Sequence, residues 1–279
     1  MVQKHRTIKL IAVIAGLLIV TIAYLFPVYW ILLTSFKLPN EIFVETPIFF
    51  LRTLHLDNYY EIFQKSLVLT YFANSTVVAV STTLATIVLA TLAGYGIARS
   101  RARWAAAIRN SVIVIRMIPA IMYTIPLYLI YNEVGLIDTK TGLVLAYVTF
   151  SLPLAIWLSV TFYHDIPEEL FESAEIDGCT EWEVYSRIAL PLIVPGIAVM
   201  AILVFIGAWN EFGLALVLQY SDENKTIPIG IASMVQTHKD TPSGSLAAAG
   251  MLAIIPAILI SLTTQKYIVK GLMAGAVKG

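Results

Sequence analysis

Apolar residues run almost unbroken over positions 11–33, and five more stretches of spanning length follow at about 67–98, 106–131, 142–163, 192–217 and 247–265. Each reaches the roughly 20 apolar residues with which a helix crosses a hydrocarbon core of about 30 Å. Inside lipid the backbone must satisfy its own hydrogen bonds, so runs of this length predict helices. The pattern therefore predicts an all-α polytopic membrane protein with six transmembrane helices. The second stretch is longer than a span requires, and a strongly tilted or partly interfacial helix is expected there. The first follows a basic start, Lys4, His5, Arg6 and Lys9, as a signal peptide does. It runs past the roughly 15 residues of a signal core and meets no small-residue cleavage site, so it reads as a retained span.

Composition agrees with lipid as the solvent. The 279 residues are 58% hydrophobic and 13% charged, with a mean hydropathy of +0.81, where a soluble domain has about a quarter of its residues charged. The formal net charge is +0, and the basic residues only flank apolar runs, which excludes a nucleic-acid partner. One cysteine, Cys179, excludes an internal disulfide and leaves no Cys/His set at metal spacing.

Charge position sets the orientation. With the amino terminus inside, Lys4, Arg6, Lys9, Arg99, Arg101, Arg103, Arg109, Arg187, Lys266, Lys270 and Lys278 are cytoplasmic, eleven of the eighteen basic residues. Lys37, Arg52, Lys65, Lys140, Lys225 and Lys239 lie outside, and Arg116 falls within the third span. Positive charge is retained on the cytoplasmic side, so both termini are expected there in a multi-pass protein of the cell (inner, cytoplasmic) membrane. Two long outer segments, 38–65 and 218–246, are either solvated connections with an interfacial piece or contacts for an extracytoplasmic partner. On the second span Ala90, Gly94 and Ala98 recur at i, i+4, a small-residue stripe suited to close packing on another helix of the same chain.

The long cytoplasmic connection, 164–191, breaks the charge rule. It holds Asp165, Glu168, Glu169, Glu172, Glu175, Asp177, Glu181 and Glu183, eight of the eighteen acids, on the side where lysine and arginine are expected. Pro167 suits the first turn of a helix whose Glu168 and Glu169 favour the positive end of its dipole. Gly178 is placed to end that helix in left-handed conformation. Thr180 and Glu183 form a capping box that starts a second helix leading to Pro191. Leu170 and Ala174, with Ile166 and Ser173 beside them, predict an apolar contact face of small side chains, with Glu172 and Asp177 at its rim. Docking to a protein groove and lying on the membrane surface both fit an amphipathic helix, but a negative inner leaflet repels the acids.

Glu172-Ser173-Ala174, then Gly178, Ile188, Leu190 and Pro191, resemble the E-A-A-x3-G-x9-I-x-L-P loop of ABC importer permeases, Ser173 replacing the middle alanine. Further pieces are similar to the maltose-type permeases of oligosaccharide importers. These are Pro27-x2-Trp30-x4-Ser35-Phe36-Lys37, Asn74-Ser75, Tyr95-x3-Arg99, Arg116-x2-Pro119, Ile176-Asp177-Gly178 and residues 125–128, 135–138, 209–212 and 271–279. The resemblance implies a type I ABC importer permease, one transmembrane domain over 1–279 with a coupling loop at 164–191, and a carbohydrate cargo. It implies a second homologous permease subunit, two ATP-binding subunits and an extracytoplasmic solute-binding protein. Leu170, Glu172, Ser173, Ala174, Asp177, Gly178, Leu190 and Pro191 would couple to the ATPase, with Gly178 the corner that transmits its motion. This chain has no G-x-x-x-x-G-K-[ST] phosphate loop, so it is expected to be no enzyme and to bind no cofactor, ATP and Mg belonging to the partner ATPase.

Arg116 lies about ten residues into its span, where a central charge costs roughly 2.5 to 3.5 kcal/mol, so it needs a partner or water. A pathway or gating role and snorkelling to the interface both satisfy that. Asn74, Asn210 and Glu211 fall toward outer span ends, where interfacial solvation competes with a place at an outer gate or a binding-protein contact. The family motif at 209–212 favours the latter for Asn210 and Glu211. Aromatic residues, 11% of the chain, serve interfacial belts as well as sugar stacking and assign no sugar site. Three alternatives remain. An ABC permease for another solute, such as a glycerol phosphate or a polyamine, would respond to that cargo. A secondary carrier would leave the acidic loop unexplained, and a membrane enzyme would need a catalytic constellation that the sequence lacks.

Overall fold

The fold was obtained as a computed structural model that describes residues 2–51, 53–65, 67–100, 102–115, 117–119, 121–237 and 243–276. Every regular element among them is helical. In chain order they are α1 (Val2–Ser35), α2 (Pro39–Ile42), α3 (Asp57–Lys65), α4 (Val68–Arg99), α5 (Arg103–Ile115), α6 (Ile121–Glu133), α7 (Lys140–His164), α8 (Glu168–Ile176) and α9 (Glu181–Glu183). A π-helical turn, Val184–Ala189, leads into α10 (Leu190–Leu192), and α11 (Val194–Trp209), α12 (Gly213–Leu218), α13 (Ile227–Thr237) and α14 (Ser243–Ala276) follow.

Among the described residues four of the predicted spans are continuous helices of spanning length: Lys9–Ser35, Val68–Arg99, Lys140–His164 and Ser243–Thr263. The other two are broken. The predicted span at 106–131 is two 13-residue helices, α5 and α6, each about 20 Å long against a core of about 30 Å. Pro119 supplies the break, because it lacks an N–H and disfavours helical geometry in the residue before it. The Met117 and Ile118 amides turn back tightly to Val114 and Ile115. The predicted span at 192–217 is broken twice. Its first half meets the preceding helix at 74°, where Ile193 sits at φ −91, ψ 6 between Pro191 and Pro195. Beyond Trp209 the chain turns again before α12.

The chain comprises two compact units. One contains residues 1–68 and 231–255. Its core is Ile62, Val68, Ala248 and Ala249, and the end of α1 is tied to the segment that follows it. The Asn58 amide donates to the Ser35 and Lys37 carbonyls at 3.0 and 2.8 Å. Lys37, buried, donates to the Ile48 carbonyl at 2.7 Å with its ammonium 4.6 Å from the Trp30 ring centre. Burial pulls that ammonium below the usual lysine range, and Glu41 opposes the shift.

The second unit, residues 69–230 and 256–279, is organised around α7, on which α5, α11 and α12 pack. The stripe on α4 serves this packing. Ala90 is buried with Ala155 and Val204, and a methyl group added at Gly94 would lie 2.4 Å from the Ser159 hydroxyl. Helices without a hydrophobic drive between them associate through such close approach.

Candidate coupling site

Residues 164–191 form a helix, a glycine corner and a second helix, each end built by the local sequence. Pro167 is the N-cap of α8, one position earlier than the predicted first turn. Asp177 is the C-cap and Gly178 follows at φ +78. The Gly178 amide donates to the Glu175 carbonyl at 3.1 Å and the Cys179 amide to the Ala174 carbonyl at 3.0 Å. These are the two bonds of a Schellman cap, which needs a left-handed residue at Gly178. The predicted capping box is present. The Glu183 amide donates to the Thr180 hydroxyl oxygen at 3.3 Å, and the Glu183 carboxylate accepts from the Thr180 amide at 3.0 Å.

The second helix departs from the expected regular run. After α9 the Leu190 amide reaches back five residues to Tyr185. Pro191 explains the extra residue, because a proline ring clashes with the carbonyl four residues before it, here Arg187.

The predicted contact face of α8 is divided. Ala174 is only 4% exposed and, with Phe171, packs into a cluster of Tyr95, Tyr163, Val184, Tyr185, Ala189 and Ile193. Ala174 therefore fastens α8 to the bundle and is unavailable to a partner, a correction to the expected face. Phe171 sets this rotation: it sits three residues before Ala174 and is the largest apolar side chain on the helix. Leu170 stays outside at 44% exposure with Glu172, Ser173 and Asp177, joined by Ile176 at 86% and by Trp182 beyond the corner. Leu190 is half-buried against the cluster, and Pro191 is exposed at the bend.

Both sides of the corner are gripped from α4. Arg99 pairs with Glu175 and lays its guanidinium 4.6 Å from the Phe171 ring centre. Tyr95 donates its hydroxyl to Glu181 at 2.8 Å, meets the Tyr163 ring edge to face and packs at a tilt on Tyr185. Thr91 meets the Tyr185 hydroxyl at 3.1 Å. Beside this grip is a cleft of about 720 Å³, lined by Arg99, Tyr163, His164, Asp165, Glu168 and Phe171 among others. None of the gripping residues was among the sequence-predicted site residues. The available signal was Tyr95 and Arg99 at i, i+4 on an inner span end, with acids three residues before and three after Gly178.

The residues considered for a gate divide as well. Asn74 is 2% exposed and donates to the Glu223 and Lys225 carbonyls at 2.7 and 2.9 Å. It ties a loop and is buried, so its side chain is taken up inside this unit rather than presented on a surface. Glu211 accepts from the Leu214 and Ala215 amides at 2.8 and 3.0 Å and from the Tyr147 hydroxyl at 2.7 Å. One residue before the N-cap Phe212, it takes up the free amides of the first turn of α12. Asn210 is exposed and donates back to the Ile206 carbonyl at 3.0 Å. Arg116 lies outside the described residues.

Residues 86–273 match the family described as "Binding-protein-dependent transport system inner membrane component". The chain is 33% identical to the trehalose/maltose transport system permease protein MalG of Thermococcus litoralis over 99% of this chain and 100% of that protein. It is 37% identical to the trehalose transport system permease protein SugB of Mycobacterium tuberculosis, over 91% and 93% of the two chains. Among solved structures, one chain of a bacterial ABC transporter involved in the import of the acidic polysaccharide alginate superposes with a TM-score of 0.77 at 20% identity. That match covers 94% of this chain and 98% of the other, a likeness of fold alone.

Proposed function

Because the chain belongs to the family of binding-protein-dependent transport system inner membrane components, we propose that it is the permease subunit of an ATP-driven ABC importer that carries a carbohydrate into the cytoplasm. The family is a transport permease and not an enzyme. Full-length similarity to trehalose and maltose permeases supports the sugar class. Hydrolysis belongs to a separate pair of ATP-binding subunits, cargo is delivered by an extracytoplasmic solute-binding protein, and a second homologous permease completes the pathway. Both termini face the cytoplasm.

The observation that carries the coupling role is the two-sidedness of α8. Phe171 and Ala174 hold it to the bundle while Leu170, Glu172, Ser173, Ile176 and Asp177 face away from it. Ile176, an isoleucine left exposed between acids, is the natural anchor for an apolar groove with a basic rim. Gly178, Leu190 and Pro191 shape the corner and the bend beyond it.

The test is co-purification of the chain in detergent from its host, followed by ATPase assay with a panel of oligosaccharides and their binding protein. Recovery of an ATPase and a second permease, with one sugar stimulating hydrolysis, is the expected result. Stimulation by a glycerol phosphate would replace the cargo class. A lone chain whose uptake collapses with an uncoupler while ATP remains would make it a secondary carrier.

A further inference from the structure

One helix touches both the corner and the outer surface of the unit formed by residues 69–230 and 256–279. At its inner end α4 presents Thr91, Tyr95 and Arg99 at i, i+4, i+8, and this single stripe reaches Tyr185 and Glu181 on one side of Gly178 and Glu175 on the other. At its outer end Asn74 holds the Glu223 and Lys225 carbonyls, and the Ser75 hydroxyl oxygen accepts from the Ile227 amide at 2.8 Å. The outer segment is itself braced. Asp138, at φ +57, accepts from the Tyr220 and Ser221 amides at 3.1 and 3.2 Å. Gln219 donates to the Thr139 carbonyl at 2.8 Å, and Asn224 to the Asp138 carbonyl at 2.7 Å.

Between these ends α4 is continuous. It contains no proline, whereas α6 carries Pro126 and α7 carries Pro153. From Asn74 to Arg99 it spans about 37 Å at 1.5 Å per residue. An unbroken helix without proline lacks the commonest cause of a sharp bend.

A second observation concerns unpaired polar atoms. Among the described residues the buried side-chain atoms without a hydrogen-bond partner are on Thr82, Thr86, Arg99, Ser159, Tyr163, Gln219 and Thr226. Five of the seven lie on α4 or on residues packed against it, and the other two lie in segment 219–227. Thr82, Thr86 and Arg99 belong to α4, Ser159 abuts Gly94, Tyr163 packs on Tyr95, and Gln219 and Thr226 sit in the segment that Asn74 and Ser75 hold.

We propose that α4 is the rod that carries a displacement of the Gly178 corner to the outer segment 219–227 and back, with Tyr95 and Arg99 as positioning residues at one end and Asn74 and Ser75 at the other. The reading of residues 164–191 as the ATPase-docking loop enters only as the source of the displacement. A shift of the corner moves Glu175 and Glu181 together, because both are held by one helix face. The same helix then shifts the carbonyls at 223 and 225, and linkage requires the reverse effect to be equal.

The test uses the full chain alone in lipid nanodiscs, with Cys179→Ser as background. A single thiol probe is placed by Ile176→Cys, where the native side chain is 86% exposed, or by Tyr220→Cys, where it is 72% exposed. Alkylation rates are read at each probe. Tyr95→Phe, which removes only the hydroxyl bond to Glu181, and Arg99→Gln are expected to change the rate at 220 by about fivefold or more, the lower end of typical coupling between two sites. Ser75→Ala and Asn74→Leu are expected to change the rate at 176 by the same factor. Softening the middle of the rod with Leu84→Gly plus Val88→Gly, both exposed, should abolish the far effects while near effects persist. Near effects without far effects in the unsoftened rod would overturn the proposal, and so would far effects that survive softening. No ATPase takes part, so a chain that transmits between the probes but never co-purifies with an ATPase would overturn the docking reading and leave the rod standing.

Discussion

Replacing Gly178 tests the corner with a magnitude that the structure sets. A methyl group added there meets nothing within 4 Å, so a Cβ costs nothing by collision. The whole penalty is conformational, because φ is +78 and an L-residue in the left-handed region costs roughly 1–2 kcal/mol. If the backbone relaxes instead, two capping bonds are lost, at about 0.5–1.5 kcal/mol each. Either route costs about 1–3 kcal/mol, less than the roughly 5–15 kcal/mol that keeps a domain folded. The protein should therefore insert while the corner population shifts about tenfold per 1.4 kcal/mol. The series Gly178→Asn, Gly178→Ala, Gly178→Val grades the strain, because asparagine tolerates left-handed geometry and a β-branched residue does not. Sugar transported per ATP hydrolysed, measured in proteoliposomes of the assembled importer, should fall in that order, with thermal midpoints changing only a few degrees. A valine variant equal to the asparagine variant in transport per ATP would refute the assignment of Gly178 as the coupling corner.

Three further outcomes are expected. Glu172→Lys, on the exposed face of α8, should weaken ATPase co-purification without lowering the thermal midpoint of the chain; unchanged stoichiometry would count against docking through this face. Gly94→Leu should lower the thermal midpoint by several degrees, because even its first carbon would lie 2.4 Å from Ser159 and overpacking costs typically 1–3 kcal/mol; a thermal midpoint equal to that of the parent protein would refute the close packing of α4 on α7. Glu211→Ala should lower stability by about 0.5–2 kcal/mol through loss of a helix cap, read as a drop in thermal midpoint with sugar specificity unchanged, whereas a changed sugar preference would restore a gate role to Glu211.

How far the site was legible depended on distance along the chain. The corner was readable because a glycine cap and a capping box are built from neighbours: Gly178 bonds to Glu175, and Thr180 to Glu183. The rotation of α8 was misread. Leu170 and Ala174 look like one face on a helix alone, and only the tyrosine-rich pocket that accepts Phe171 turns Ala174 inward. The partners of Asn74 and Glu211 were not legible for a similar reason. A polar residue near a span end does not show in sequence that the carbonyls at 223 and 225, or the Tyr147 hydroxyl, use it.

Hydrophobic runs and their flanking charges determine by themselves that this chain lives in a membrane as a bundle of helices, because lipid leaves the backbone no other regular way to pair its N–H and C=O groups. They also determine the acidic corner at 164–191, whose caps are local. Tertiary structure alone decided that α4 grips both sides of the corner and that its far end holds segment 219–227. Those features rest on contacts between residues 76 to 152 positions apart, such as Arg99 with Glu175 and Ser75 with the Ile227 amide, and no local pattern records a partner so distant in sequence.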